Sequence, residues 1–140
     1  MQLDVIKQGN SSRDTPFDVP MLFSDETGEP THGFKCVGIN SQKYQTAQSE
    51  WQLSQFQKSA RRGGDINVKA RTGAEELQKT IKAHERYIID ACTVSAYGFK
   101  SEGTEVELSK ELLDTLFTEY PTWQDKLIAE IRRERVFTAP

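Results

Sequence analysis

The chain has 140 residues, 36% of them hydrophobic, and a formal net charge of -3 from 18 basic and 21 acidic residues. This length suits one domain over residues 1–140. No run of about 18 apolar residues is present, so we expect no membrane span. The start, MQLDVIKQGNSSRD, lacks the features of a secretion signal, and we expect a cytoplasmic protein with reduced thiols. The acidic excess disfavours general nucleic-acid binding, which needs a basic surface.

The N-terminal part is predicted to be a flexible segment followed by a β-hairpin. Residues 1–16 contain the turn-forming run GNSS and few apolar anchors, so we expect them to be flexible. Apolar residues alternate in FDVPMLF and again in FKCVGIN, which predicts a hairpin over residues 17–40. Pro20 lacks a backbone donor, so the first strand should be an edge strand or should turn Pro20 outward.

Two long helices are predicted next. Ser41 can cap the first, whose narrow apolar stripe includes Tyr44 and Trp51 and which should end at Gly63-Gly64. Thr72 and Glu75 form a capping box for the second, a central helix of about 25 residues that should end at Gly98. Its apolar stripe comprises Leu77, Ile81, His84, Ile88, Ala91, Cys92 and Ser95. We expect the stripe to face the core, with His84 as a boundary residue whose nitrogen is bonded locally.

Two short helices complete the predicted fold. FKSEGTEVEL is a connection, and Ser109 caps a helix bearing Leu112, Leu113, Leu116 and Phe117. Pro121 starts the last helix, which should bury Trp123, Leu127, Ile128 and Ile131. The predicted class is α+β and predominantly helical, with the hairpin packed on a bundle of about four helices in residues 41–140. We expect Ile81→Asp and Leu116→Asp to unfold it, because each would bury an unpaired charge.

No set of residues points to catalysis or to a cofactor. The two histidines, His32 and His84, and the two cysteines, Cys36 and Cys92, lack the spacing of a metal site. Cys92 lies on an apolar helical face and is interpreted as packing, while a disulfide between Cys36 and Cys92 remains open. The paired carboxylates fall in turns or first turns of helices, where acids are favoured anyway. We therefore expect a non-enzymatic protein without cofactor or metal.

A few residues are candidates for partner binding. The basic groups are Arg61 and Arg62 at one helix end and Arg132, Arg133 and Arg135 at another. Arginine at a helix C-terminus is favourable against the dipole, which is the ordinary structural interpretation. The alternative is a surface for an acidic partner. Phe137 lies in the terminal RVFTAP, where docking is a better interpretation than core packing, whereas Trp51 and Trp123 are interpreted as core.

Three stretches resemble the tail assembly chaperones of long-tailed bacteriophages. The first is PFDVPMLFSDETGEPTHGFKCVGINSQKY, and the second is VSAYG, in which Tyr97 stands where a Trp is expected. The third comprises Val106–Ser109, Leu112-Leu113, Tyr120-Pro121, Trp123, Ile128 and Phe137. Together they span most of the chain.

The resemblance implies a protein that assists assembly and is absent from the finished virion. It would bind the tape measure protein in the host bacterial cytoplasm, keep that protein's apolar helices soluble and help to recruit tail tube subunits. In many such phages a translational frameshift adds a C-terminal extension. A patch able to bind such a client would also be sticky, so a homo-oligomer is left open. The resemblance assigns no individual binding residues.

Two other functions remain open at this point. A structural virion component, such as a tail-completion or head-tail connector protein, would be found in purified particles. A small nucleic-acid-binding regulator would use Arg61, Arg62 and the 132–135 cluster, and its binding would depend strongly on salt.

Overall fold

A computed structural model of the chain describes residues 13–61 and 70–133, although not the side chains of residues 59–61 and 70–72. The predictions for residues 1–12, Arg62, Gly63-Gly64, Arg135 and Phe137 lie outside these residues. Asp14 belongs to the segment predicted to be flexible. Its carboxylate accepts a 2.7 Å hydrogen bond from the backbone N–H of Gln42, which ties residues 13–16 to the start of the first helix.

The described residues form an α+β fold that is mainly helical, as predicted. The strands are β1 (Phe17–Phe23), β2 (Pro30–Cys36), β3 (Thr93–Tyr97), β4 (Lys100–Ser101) and β5 (Thr104–Glu105). The helices are α1 (Gln42–Arg61), α2 (Ala70–Cys92), α3 (Lys110–Glu119) and α4 (Thr122–Arg132).

The predicted hairpin is present and is extended by a third strand. β1, β2 and β3 form an antiparallel sheet in that order, with Val19 opposite Phe34 and Phe34 opposite Ala96. β1 is therefore an edge strand, which confirms the position expected from Pro20. Val19 and Phe34 are fully buried and anchor the inner face of the sheet.

The third strand corrects the predicted length of the central helix. α2 ends at Cys92 instead of continuing to Gly98, and residues 93–97 pair with β2. Thr93 and Val94 are β-branched, and such residues fit a pleated sheet better than a helix. The edge of β2 supplies backbone hydrogen-bond partners for residues 93–97. Helical periodicity in the sequence carries no information about this pairing. Gly98, with φ +87°, ends the strand rather than the helix.

Three of the predicted helix starts, at Ser41, Ser109 and Pro121, are confirmed, and the one at Thr72 is wrong. The Ser41 hydroxyl accepts from the N–H of Tyr44 at 3.1 Å, and that of Ser109 accepts from Leu112 at 3.1 Å. Pro121 occupies the N-cap of α4, as its missing N–H allows. α2 begins at Ala70, so Thr72 lies within its first turn instead of capping it. Ala and Arg are good helix formers, which favours the earlier start.

The connection after β3 contains a short hairpin that was not predicted. β4 and β5 pair through Glu102 and Gly103, whose φ angles are 52° and 82°. Two consecutive positive φ angles are typical of the tight turns that match strand twist. The N–H of Val106 donates to the carbonyl of Phe99 at 2.7 Å, which continues the pairing between the two sides of this hairpin.

The core lies where α2, α4 and the sheet meet. Ile88, Ile89 and Cys92 of α2 are fully buried, as are Leu127 and Ile131 of α4. Trp123, Leu127, Ile128 and Ile131 are all buried, as predicted for the last helix. Leu113 and Leu116 are the buried residues of α3.

An arginine joins α3 to α2 at the edge of this core. The Arg86 guanidinium binds Asp90 at 2.9 Å and Asp114 of α3 at 2.7 Å, and it donates to the carbonyl of Lys110 at 3.1 Å. These bonds give the partly buried Arg86 cation acceptors from two helices, α2 and α3.

α1 and α2 run past the end of the core as a two-helix projection. α4 starts beside Lys82, whose ammonium pairs with Asp125 and whose carbonyl accepts from Gln124 at 3.2 Å. Residues 52–61 of α1 and 70–81 of α2 lie beyond this point, and we call them the arm. Its ten to twelve residues per helix correspond to roughly 15–18 Å at 1.5 Å per residue.

Candidate partner-binding surface

The arm exposes four large apolar side chains. The exposed fractions are 58% for Leu53, 72% for Phe56, 59% for Leu77 and 40% for Ile81. Leu77 and Ile81 were predicted to be core, and this prediction is wrong. Single exposed apolar residues are ordinary, but four on one projection make it a candidate contact surface.

Leu77 and Ile81 continue the buried stripe of α2. Steps of four and seven residues place Leu77, Ile81 and Ile88 on one face of the helix. Ile88 is fully buried in the core, whereas Ile81 directly precedes Lys82, beside which α4 begins, and is 40% exposed. The apolar period is therefore uniform along α2, and only the extent of its neighbour decides which residues are covered.

Leu53 and Phe56 lie off the stripe that joins α1 to α2. The residues of α1 that turn toward α2 include Tyr44 and Ala47, which are buried, and the half-buried Trp51. Leu53 and Phe56 are two and five residues past Trp51, positions that fall on other faces of a helix. This mismatch of spacing is the signal in the sequence that could have marked them as surface residues.

An aromatic cluster forms the base of the arm. The rings of Trp51 and His84 stack with centroids 5.1 Å apart, and Tyr87 lies 5.6 Å from Trp51. His84 Nε2 bonds Gln48 Oε1 at 2.7 Å, and the Tyr87 hydroxyl donates to Glu50 at 2.6 Å. His84 is thus a boundary residue as predicted, although its partner lies on α1. Trp51 is only half-buried, which corrects its interpretation as core.

The electrostatic environment at the base of the arm favours the neutral form of His84. Burial lowers the pKa of His84, and the positive charge of Arg132 lowers it further, against a smaller opposing effect of Glu85. The hydrogen bond to Glu50 raises the pKa of Tyr87, which keeps its hydroxyl protonated as a donor.

The structure separates the predicted basic residues. Arg132 is partly buried, and its Nε donates to the hydroxyl of Tyr44 at 3.2 Å, so it lies near the base of the arm. Arg133, at the C-cap of α4, is exposed. Arg61 is the last residue of α1, and its side chain is not described. The arginines predicted for one surface therefore occupy different settings.

A second apolar surface lies between the sheet end and α3. It is a groove of about 540 Å³ whose apolar lining comes from β1, the β4–β5 region, α3 and α4. Tyr120 stacks on Trp123 at 4.3 Å between centroids, and Phe99 lies 6.2 Å from Trp123. Its apolar lining residues are Leu22, Phe99, Val106, Leu112, Leu116, Tyr120 and Trp123. Sequence periodicity did not predict this groove, because it is assembled from four separate segments.

The cysteines belong to the core. Cys36 and Cys92 are both buried thiols, and Cys36 Sγ donates to the hydroxyl of Thr93 at 3.8 Å. Burial raises the pKa of Cys92 to about 11, opposite to the shift that a nucleophilic thiol requires. Between residues 13 and 133, gap at 62–69 aside, no three His, Cys, Asp or Glu side chains converge as metal ligands would.

Comparison with known proteins matches no protein-family model, no curated protein and no solved structure. No helix within the described ranges, 13–61 and 70–133, is long and apolar enough to cross a bilayer.

Proposed function

We propose that this chain is a phage tail assembly chaperone, a non-enzymatic protein of the host cytoplasm that binds and solubilises the tape measure protein. The observation that carries the proposal is the uncovered apolar stripe of the arm, with Leu77 and Ile81 at 59% and 40% exposure. A tape measure protein is a long helical client with apolar stripes of its own. An exposed stripe on a rigid helix pair is the surface that such a client needs.

The arm suits helix binding for a physical reason. An amphipathic helix recognises a partner through apolar residues at steps of three and four, and the arm offers the same period. Covering Leu77 and Ile81 would bury apolar area on both partners at about 25 cal/mol per Å² before the costs of association. The aromatic base formed by Trp51 and His84 would limit how far the client helix extends toward the core.

Recruitment of tail tube subunits is assigned to the second surface. The groove beside Trp123 and Tyr120 is built from different elements than the arm. Two separate apolar surfaces would let one molecule hold the tape measure protein and a tube subunit together. This part of the proposal follows the resemblance and the separation of the two surfaces.

Co-expression with the tape measure protein of the same genome tests the proposal. We expect the wild type to raise the soluble fraction of that protein, and Leu77→Ser combined with Ile81→Ser to abolish the gain. Val94→Ser is the matched control, because Val94 is exposed to the same 40% but lies in β3. A wild type that leaves the client insoluble, or an arm variant as effective as the control, would contradict the proposal.

The rival functions give different results in two further measurements. A chaperone should be missing from purified particles, whereas a virion component would be present at a fixed stoichiometry. A nucleic-acid-binding regulator would shift DNA or RNA in a mobility assay, and raising the salt would abolish the shift.

A further inference from the structure

We propose that the client segment bound by the arm is an amphipathic helix whose apolar stripe is followed by an aspartate or glutamate, and that Arg132 binds this carboxylate. The inference rests on the proposed function and specifies the chemistry of the client. Its three supports are the course of α4, the continuity of the α2 stripe and the lack of a carboxylate partner for Arg132 among the described residues.

The course of α4 leaves an opening beside the arm. The first turn of α4 lies against α2 at Lys82, whereas its last turn reaches α1 through the bond from Arg132 to Tyr44. α4 therefore crosses α2 obliquely. Because α4 begins beside Lys82, it leaves the stripe of Leu77 and Ile81 uncovered. The floor of this opening is the stripe of Leu77 and Ile81, and its inner end is His84.

Arg132 lies at this inner end. It bonds Tyr44, which is one helical turn before Gln48, and Gln48 bonds His84 at 2.7 Å. His84 is in turn three residues past Ile81 on the same face of α2. A helix that covers Leu77 and Ile81 and points toward the core would therefore bring its next turn close to the guanidinium.

The charge of Arg132 has no carboxylate partner among residues 13–61 and 70–133. Its Nε donates to the neutral hydroxyl of Tyr44, and none of the ion pairs formed by these residues includes it. The nearby Glu85 is directed to Lys82, at 3.8 Å. By contrast, Arg86, which is also partly buried, binds two carboxylates. A client helix would remove water from Arg132, and a carboxylate from the client would offset this cost.

In this arrangement Arg132 determines which client helices bind, whereas the apolar stripe supplies most of the affinity. The apolar stripe would attract many amphipathic helices with similar strength. A helix with a neutral or basic residue at the inner position would leave the guanidinium desolvated and unpaired, which is unfavourable. Clients with an acid at this position would thus be selected.

Two synthetic peptides test the inference by fluorescence anisotropy. Both are helical peptides of about 20 residues with leucine at steps of three and four, long enough to form several turns. One carries a glutamate one turn after the last leucine, and the other carries glutamine there. We expect the wild type to bind the glutamate peptide about three- to tenfold more tightly, the range of a partly desolvated ion pair.

Three variants isolate the role of the guanidinium. Arg132→Met should remove the preference for glutamate, while Arg133→Met, which alters the exposed neighbour, should keep it. Tyr44→Phe removes the hydroxyl that Arg132 bonds but leaves the charge of Arg132 in place. This variant should therefore also keep the preference for glutamate. Arg132→Lys should retain part of it. Thermal unfolding of each variant establishes that it is folded.

Equal binding of the two peptides to the wild type, binding of neither, or a preference that survives Arg132→Met would overturn the inference. Co-expression with the tape measure protein separates this failure from failure of the proposed function. If the wild type solubilises that protein while the two peptides bind equally, the function stands and the assignment of Arg132 is wrong. If the peptides are discriminated but the tape measure protein stays insoluble, the arm binds helices and the chaperone proposal is wrong.

Discussion

His84 is the residue at which the covered and uncovered parts of α2 meet. Its ring stacks on Trp51, its Nε2 bonds Gln48, and the charge of Arg132 lies nearby. A protonated ring would keep its bond to Gln48 but would place a charge in a partly buried site that faces the like charge of Arg132. The residue therefore links the geometry at the base of the arm to pH.

The first prediction concerns the pH dependence that follows from this setting. Burial and Arg132 lower the pKa of His84 below 6.5, so folding favours the neutral ring. The stability contributed by His84 is present above pH 6.5 and is lost as the pH falls through 6.5 to the lower folded-state pKa. We expect the melting temperature of the wild type to fall by a few degrees more than that of His84→Gln between pH 7.5 and pH 5, measured by circular dichroism. Parallel curves for the two proteins would show that His84 titrates as it does in the unfolded chain.

Residue-scale reasoning from the sequence was reliable for caps and unreliable for exposure. Ser41 and Ser109 cap their helices as predicted, because a cap depends on residues within one turn of the chain. Ile81 was assigned to the core because its period matched that of Ile88. Its exposure depends on where α4 begins, a long-range fact that periodicity does not contain.

At the scale of elements, the two ends of α2 show what sequence patterns could not predict. The end at Cys92 depends on the free edge of β2, which recruits residues 93–97 into the sheet. The start at Ala70 leaves Thr72 inside the helix. At the Cys92 end local propensity allows both outcomes, and pairing with β2, which is distant in sequence, decides between them.

The second prediction tests the junction between β3 and β4. Gly98 has φ +87°, and a Cβ there would overlap the carbonyl oxygen of Thr31 and lie 3.0 Å from the Cα of His32. Gly98→Ala should therefore cost about 3 kcal/mol, from strain at positive φ plus overpacking. Gly28, with φ +72°, has nothing within 4 Å of the added Cβ, so Gly28→Ala should cost about 1 kcal/mol. Urea unfolding of both variants would measure this difference, and equal losses would refute the steric argument.

The third prediction compares two charged substitutions on different helices. Leu116 of α3 is 9% exposed, so Leu116→Asp should unfold the protein or cost about 4 kcal/mol or more. Ile81 is 40% exposed, so Ile81→Asp should cost about 1 kcal/mol or less and leave a folded protein. Circular dichroism and thermal unfolding distinguish the two. An unfolded Ile81→Asp protein would mean that the stripe of the arm is covered after all.

At the scale of the whole molecule, the sheet and all four described helices contribute to a core, while one end each of α1 and α2 extends beyond it as the arm. The class and the order of most elements followed from the sequence, because period and capping signals are local. The arm and the groove beside Trp123 did not, since each depends on which elements end next to one another. The function proposed for the chain is therefore a property of the assembled fold more than of any motif.

Hydrogen–deuterium exchange of the chain, alone and bound to the tape measure protein, tests most directly whether the arm is the client-binding surface. We expect binding to slow exchange in residues 52–61 and 70–84 and to leave β1 and the β4–β5 hairpin unchanged. Protection confined to the sheet or to the groove beside Trp123, with the arm unaffected, would contradict the assignment of the arm.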